Sequence, residues 1–437
     1  MFTTLTNAWK IPDLRKKLLF TLFIVIVFRF GSVLPVPFLD SDALRTIMDQ
    51  AEASGTALGY INMLTGGAFA YATLFALGIT PYINSSIIMQ LLTVAIPALE
   101  RLSKEGEEGK KKIATLTRYV TVLLALIQSI AFFFYLHNSG ITVYQTGFAS
   151  VFAALVIIAC FTAGSALIMW MGEQINDKGI GNGISIILLA GILARLPATA
   201  GQLWTFVKAA IADPSAYGKY FAFVPLFIVL FLAVIWVIIF MNDAERRIPI
   251  QYAKRVVGRK MYGGQSSHLP IKVKMSGVMP VIFASAILSI PSTIQFFVTP
   301  KGAFWTSFFN AFSPSGWLYS VLYFVLILVF AYFYMAIQYN PIEMANNLRQ
   351  GNGTIPGIRP GRPTAEFISK ILAKVTLIGA LFLAFVAIVP IIYGNVTAMQ
   401  AVSMGGTSII IMVGVALETV KQIESQMMMR HYKGFLD

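Results

Sequence analysis

Apolar residues along this chain fall into long blocks, neither alternating as in strands nor confined to one face as in surface helices. The blocks lie near residues 18–38, 68–97, 115–136, 150–171, 180–196, 221–241, 271–294, 317–338, 368–392 and 398–417, with short polar or basic stretches between them. A hydrocarbon core about 30 Å thick takes about 20 helical residues to cross. The pattern therefore predicts ten membrane-spanning helices and an all-α, polytopic fold. One stretch resists it. YINMLTGGAFAY (60–71), at the front of the second block, is too polar and glycine-rich to sit comfortably in lipid and too apolar for an ordinary exposed loop.

Composition agrees with the block pattern: 57% of residues are hydrophobic, 12% are charged, and the mean hydropathy is +0.74. The N-terminus has a basic stretch before an apolar one, as a signal peptide does. Its apolar segment runs long, carries Arg29 and lacks a small-x-small cleavage site, so it reads as a retained first span. A single cysteine, Cys160, rules out an internal disulfide. His137, His268 and His431 have no metal-ligand spacing, so neither metal nor cofactor is expected.

Charge gives orientation, because Lys and Arg are retained in cytoplasmic loops. With the N-terminus inside, 27 of the 33 Lys and Arg fall on the cytoplasmic side, five fall outside, and Arg29 falls within a span. Both termini are then expected in the cytoplasm. Positive-inside topology by itself accounts for much of the +14 net charge.

Two cytoplasmic loops exceed what topology needs. Residues 241–270 and 338–367 are each about thirty residues long, far above the usual connection. The first holds Arg246, Arg247, Arg255, Arg259 and Lys260 with Tyr252 and Tyr262 interleaved. That pattern suits a phosphate-rich surface such as RNA, an acidic protein groove, or anionic lipid. The second ends in PGIRPGRP, where prolines and glycines hold Arg359 and Arg362 at a rigid tip.

Sequence signals for catalysis fail on inspection. GEEGKKK (106–112) has Lys104 where a phosphate loop needs glycine, and Lys111 where it needs Ser or Thr. GIGNG (179–183) lacks the last glycine of a dinucleotide fingerprint and reads as a tight turn opening a short span. Nothing assembles a nucleophile, a base and an oxyanion hole, so no enzymatic activity is expected. A transport or conduction role remains. The middles of the spans contain no Asp or Glu of the kind coupled transporters use. Arg29 either faces a partner or watery cavity, or snorkels to the outer interface. Asn84, Ser85, Ser86, Gln90, Gln128, Ser285, Ser289 and Ser292 add weak polarity to spans two, three and seven, a pattern that also serves as helix–helix glue.

FALGITPYINSSIIMQLL (75–92), LSKEGEEGKKK, MGEQINDKGIGNGISII (171–187), RRIPIQYAKR, QSSHLPIKV, NPIEMANNL, PGIRPG and GGTSIII (405–411) resemble the SecY family, the central subunit of the Sec protein-conducting channel, from the first span to the last. The resemblance implies two five-span halves of inverted topology, residues 1–196 and 197–437, around a central pore. It implies a channel that moves unfolded polypeptide across the bacterial cytoplasmic membrane and releases apolar segments sideways into lipid. A solute transporter, or an insertase without a through-pore, is the rival reading.

Carried over position by position, the resemblance implies a pore ring of Ile79, Ile83, Leu188, Ile282 and Ile411. Whether Ile79 stands just outside the helix or stacks one turn from Ile83 depends on whether Pro81 opens the span with Thr80 as its cap. It implies a lateral gate in which Asn84 faces Ile290 and Gln90 clusters with Gln128. The awkward stretch becomes a re-entrant plug at about 60–72. There Gly66 and Gly67 break the helix, and Ile61, Met63, Leu64 and Phe69 press on the ring. The other reading of the stretch is an irregular outer loop. Implied partners are SecE-like and SecG-like membrane subunits, a SecA-type motor ATPase, the ribosome, signal-bearing polypeptides and anionic lipid. Docking falls to Arg359 and Arg362 on the second loop and to Arg246, Arg247, Arg255, Arg259 and Lys260 on the first.

Overall fold

A computed structural model of the chain describes residues 2–53, 62, 65, 67–252, 255–257, 260–262, 266–273, 277–295, 303–312, 316–397 and 405–433. The helices before the first strand are α1 (Phe2–Lys10), α2 (Pro12–Gly31), α3 (Ser41–Ala53), α4 (Thr80–Ala95), α5 (Pro97–Lys104), α6 (Glu107–Asn138), α7 (Phe148–Lys178), α8 (Gly183–Ala212), α9 (Pro214–Tyr217) and α10 (Tyr220–Asp243). Strands β1 (Glu245–Tyr252), β2 (Arg255–Val257), β3 (Lys260–Tyr262) and β4 (Ser266–Lys272) follow, then α11 (Met279–Leu288), α12 (Ile290–Gln295), α13 (Ala303–Ala311), α14 (Trp317–Gln338) and α15 (Pro341–Gln350). The two-residue β5 (Gly353–Thr354), α16 (Arg362–Thr397) and α17 (Gly405–Lys433) complete the order.

Each of the ten apolar blocks holds a helix. By length and composition α6, α7, α8, α10, α14 continued by α15, and α16 can each cross a bilayer, and α4 with α5 makes a seventh, broken span. The break is a 101° bend at Ile96, whose extended backbone (φ −107°, ψ 112°) is what the following Pro97 imposes. The remaining blocks are the 20-residue α2, the short apolar α11 and the 29-residue α17.

Several boundaries differ from those expected. The first span begins at Pro12, where a proline fits the first turn and its missing N–H costs nothing. The second begins only at Thr80, because residues 67–79 form turns. The span after GIGNG is not short: α8 runs 30 residues and carries Pro197 without ending. The tenth block's helix extends to Lys433.

The all-α expectation holds for the membrane region, and the long basic loops add strands. β1 pairs antiparallel with β4 from Glu245↔Lys272 to Gln251↔Ser266, and its other edge takes β5 through Gln251↔Thr354 and Tyr252↔Gly353. The two loops, about a hundred residues apart in sequence, thus meet in one sheet of order β4-β1-β5. Ile248 and Ile250 are buried on alternate positions of β1. Ile248, with Ile271, Ile355 and Ile368, forms a small core that seats the sheet on the start of α16. The main core is aliphatic and gathers around Ile79, Leu188, Val281, Tyr323 and Ile411. A second core packs Leu44, Met48, Phe69, Phe132 and Phe161 at the opposite end of the bundle from the sheet.

Candidate conduction path

The helix α4 starts with Gly78 at φ +59°, a conformation glycine adopts freely, followed by Ile79 as the cap residue and Pro81 in the first turn. Thr80 is therefore the first helical residue, not the cap. The Ile83 N–H donates to the Ile79 carbonyl at 3.1 Å, so the two isoleucines stack one turn apart. On α8, the Asn182 side-chain oxygen accepts from the N–H groups of Ile184 and Ser185, a cap that fixes where the helix begins and so where Leu188 points. The Gly183 N–H donates to Asn176 of α7 at 2.8 Å, tying that turn to the preceding span.

All five residues expected in the ring come together. Ile79, Leu188 and Ile411 are buried, and Ile83 and Ile282 are half-buried, from four helices. Ile83, Leu188, Ile282 and Ile411 line two separate cavities, one on each side. The larger, about 440 Å³, lies toward the C-terminal ends of α4 and α14, the latter adjoining the second basic loop, and its wall includes Ser86, Gln90, Asn176, Gln338 and Glu418. The smaller, about 40 Å³, adds Ile79, Thr65, Ser285 and Ser289. An aliphatic partition thus divides a roomy polar cavity from a small one.

Of the awkward stretch, the described residue Thr65 lies at the smaller cavity below the partition. Ile61, Met63, Leu64 and Gly66 fall outside the described residues. Asn62 and Thr65 are buried, and Thr65 lines the smaller cavity directly under the ring. The Ala70 N–H donates to the Asn62 side-chain oxygen at 2.8 Å, and the Gly67 N–H to the Asn62 carbonyl at 2.9 Å. Gly67 supplies the left-handed turn at φ +89°. Phe69 does not press on the ring. It stacks on Phe132 with ring centroids 4.3 Å apart, inside the second core, because the turn at Gly67 and the bonds to Asn62 carry the chain away from the pore.

The seam expected to open sideways lies where α4 approaches α11. On one side α4 is bound to α6, with the Ser85 hydroxyl donating to the Thr117 carbonyl at 2.7 Å. On the other α11 packs on α14, with Phe283 edge-on to Phe330 and Tyr334. Asn84 is half-buried on α4, and Ile290 opens α12 half exposed. Gln90 and Gln128 are not brought together. α4 and α6 run antiparallel, so with Ser85 opposite Thr117 the two glutamines lie displaced in opposite directions, about 24 Å apart along the bundle. Gln90 instead donates to Ser86 at 3.3 Å and faces the larger cavity.

Arg246, Arg247, Arg359 and Arg362 are all exposed at the sheet and tip. Arg247 donates to Glu245 at 2.7 Å and Arg362 to Glu366 at 3.2 Å, in open surface pairs. The Thr364 hydroxyl donates to the Arg359 carbonyl at 2.8 Å and, with Gly357 and Gly361 at positive φ, fixes the tip. Arg255 and Lys260 stand on the paired strands β2 and β3, and Arg259 lies outside the described residues. Arg29 is half-buried, and its Nη1 has no hydrogen-bond partner among the described residues. Sequence reasoning missed Asn176, Gln338 and Glu418 as cavity residues. For Glu418 the signal was present: Ile411, Val415 and Glu418 recur at i, i+4 and i+7, one helix face.

The family model described as SecY matches residues 73–420. Over 448 positions that cover both chains completely, the chain is 45% identical to the protein translocase subunit SecY of Streptomyces coelicolor. It is 41% identical over 460 positions, again with full coverage, to that of Mycobacterium tuberculosis. A solved structure described as that of a protein conducting channel superposes with a TM-score of 0.66 at 18% identity, covering 94% of this chain and 92% of that one. A second, on the plug domain of the SecY protein, gives a TM-score of 0.62 at 17% identity, covering the same shares. The ten helices around an aliphatic partition, the matched motif blocks and relatives alike from end to end place the chain in one family: it belongs to the SecY family of protein translocase subunits.

Proposed function

We propose that unfolded polypeptide enters this channel through the larger cavity, passes the ring of Ile79, Ile83, Leu188, Ile282 and Ile411, and displaces the 62–70 turn on its way out. The observation that carries this reading is the aliphatic partition shared by two cavities, with a buried turn beneath it. Such a collar excludes water and ions by dewetting, yet yields around a chain without reading its sequence. Apolar segments leave between α4 and α11. Few polar contacts bridge helices in lipid at more than about 1–2 kcal/mol each, so an inserting helix competes with them easily.

The chain lies in a bacterial cytoplasmic membrane with both termini in the cytoplasm, as the distribution of Lys and Arg supports. Residues 1–196 and 197–437 act as two halves of inverted topology. The sheet formed by the two basic loops, with Arg246, Arg247, Arg359 and Arg362 exposed, is the docking face for the ribosome or a SecA-type motor ATPase. Structures similar in fold include the Sec61 channel in a canine ribosome–channel complex, at a TM-score of 0.62. SecE-like and SecG-like subunits complete the assembly, and the energy comes from the motor, since the chain hydrolyses nothing itself. The test is reconstitution in vesicles with the small subunits, the motor and ATP. A signal-bearing polypeptide becomes protected from external protease if the reading holds, and stays accessible if it does not.

A further inference from the structure

Among the described residues that line the larger cavity, Glu418 is the one that carries a formal charge. It is exposed to that cavity and forms no ion pair or hydrogen bond among the described residues. The nearest lysine along α17, Lys421, is engaged elsewhere, donating to Asp243 at 2.7 Å. The other described polar residues of the wall carry hydroxyls and amides, Ser86, Gln90, Asn176, Tyr334 and Gln338 among them. A carboxylate with no ion pair among the described residues, in the mouth of a chain with net charge +14 and next to loops studded with arginine, attracts what its surroundings repel.

We propose that Glu418 is a specificity-determining contact for the basic flank of an incoming apolar segment, an inference that rests on the channel reading above. Segments that enter a membrane through such a path keep their Lys and Arg on the cytoplasmic side. Glu418 stands seven residues from the ring residue Ile411 on the same helix, hence about 10 Å toward the loops. A cationic side chain held there places the following apolar residues, three extended or seven helical, at the aliphatic partition and beside the α4–α11 seam. The carboxylate sets the depth at which the segment halts, and the neutral ring below it cannot compete for the charge.

The experiment uses the complete channel in vesicles with two substrates that differ only before the apolar segment, one with two lysines and one with two serines. The readout is the ratio of protected lysine to protected serine substrate. Wild type favours the lysine form. Glu418→Gln lowers the ratio about two- to fivefold, the range of a partly solvated ion pair, Glu418→Asp keeps it, and Glu418→Lys lowers it further. The difference between wild type and Glu418→Gln shrinks as salt rises from about 50 mM to about 500 mM, through screening. An unchanged ratio in Glu418→Gln, or equal losses of both substrates, overturns the assignment. Failure of wild type to protect either substrate overturns the channel reading instead.

Discussion

The carbonyl oxygen of Gly172 on α7 lies 1.9 Å from the point that a β-carbon on Gly183, the first residue of α8, would occupy. Two consecutive spans therefore touch backbone to backbone at the turn that opens the helix carrying Leu188, which lines both cavities. Gly183→Ala forces the helices apart against rigid main chain, and the loss is at least the 1–3 kcal/mol that is typical of overpacking. Gly201, deeper in the same helix with nothing within 4 Å, is the control, and Gly201→Ala gains up to about 1 kcal/mol. Heating detergent-solubilised protein and following the monodisperse fraction separates the two variants. Equal survival would show that the contact is unimportant.

What the sequence made legible follows from which forces act locally. Span number and order came from apolar blocks, because lipid admits backbone only as helix over such lengths. The end of α8 was not legible, since Pro197 reads as a stop while neighbouring contacts carry the helix through it. β5 was not legible either: Gly353 and Thr354 form a strand only because β1 offers an edge a hundred residues away in sequence. Ile79, Ile83, Leu188, Ile282 and Ile411 were singled out only through resemblance, as an isoleucine lining a cavity and one packed in a core look alike in sequence. Gln90 and Gln128 were misplaced because helix register is set by pairs such as Ser85 and Thr117, which composition does not reveal.

The partition is sealed by apolarity, so a polar group in it admits water. Ile83→Asn or Leu188→Asn raises the leak of small ions from vesicles holding the resting channel several-fold. Ile282→Leu conserves volume and costs under about 1.5 kcal/mol, leaving the leak near wild type. An asparagine at either position that left the leak unchanged would remove these residues from the barrier.

Asn62 holds the turn beneath the ring through bonds from the N–H groups of Ala70 and Gly67. Asn62→Ala strands the buried Ala70 N–H without its acceptor, a loss of about 1–3 kcal/mol. The turn then leaves its seat more often, and the resting leak rises while translocation of a signal-bearing chain continues. A variant as tight as wild type would show that the turn is no seal, which favours the reading of this stretch as an irregular outer loop.

The sheet that unites the basic loops is crowded at Gly353. A β-carbon there would stand 3.1 Å from Ile250 and Tyr252 side-chain atoms and 3.3 Å from Leu348, so these side chains would have to give by a few tenths of an ångström beside the Tyr252↔Gly353 pairing. Gly353→Val overfills that space, and at about 1–3 kcal/mol of overpacking β5 leaves β1. The membrane helices do not depend on this contact, so the protein still assembles, but Arg359 no longer stands at a fixed distance from Arg246 and Arg247. If partners grip both loops at once, affinity for ribosomes or the motor falls about tenfold or more, since each 1.4 kcal/mol is a factor of ten. Arg359→Glu, by contrast, reverses one charge on an intact platform, so its defect weakens as salt rises while that of Gly353→Val persists. Co-sedimentation at two salt concentrations distinguishes the two. Matching salt dependence would mean that the loops dock independently and that the sheet serves only to fold them.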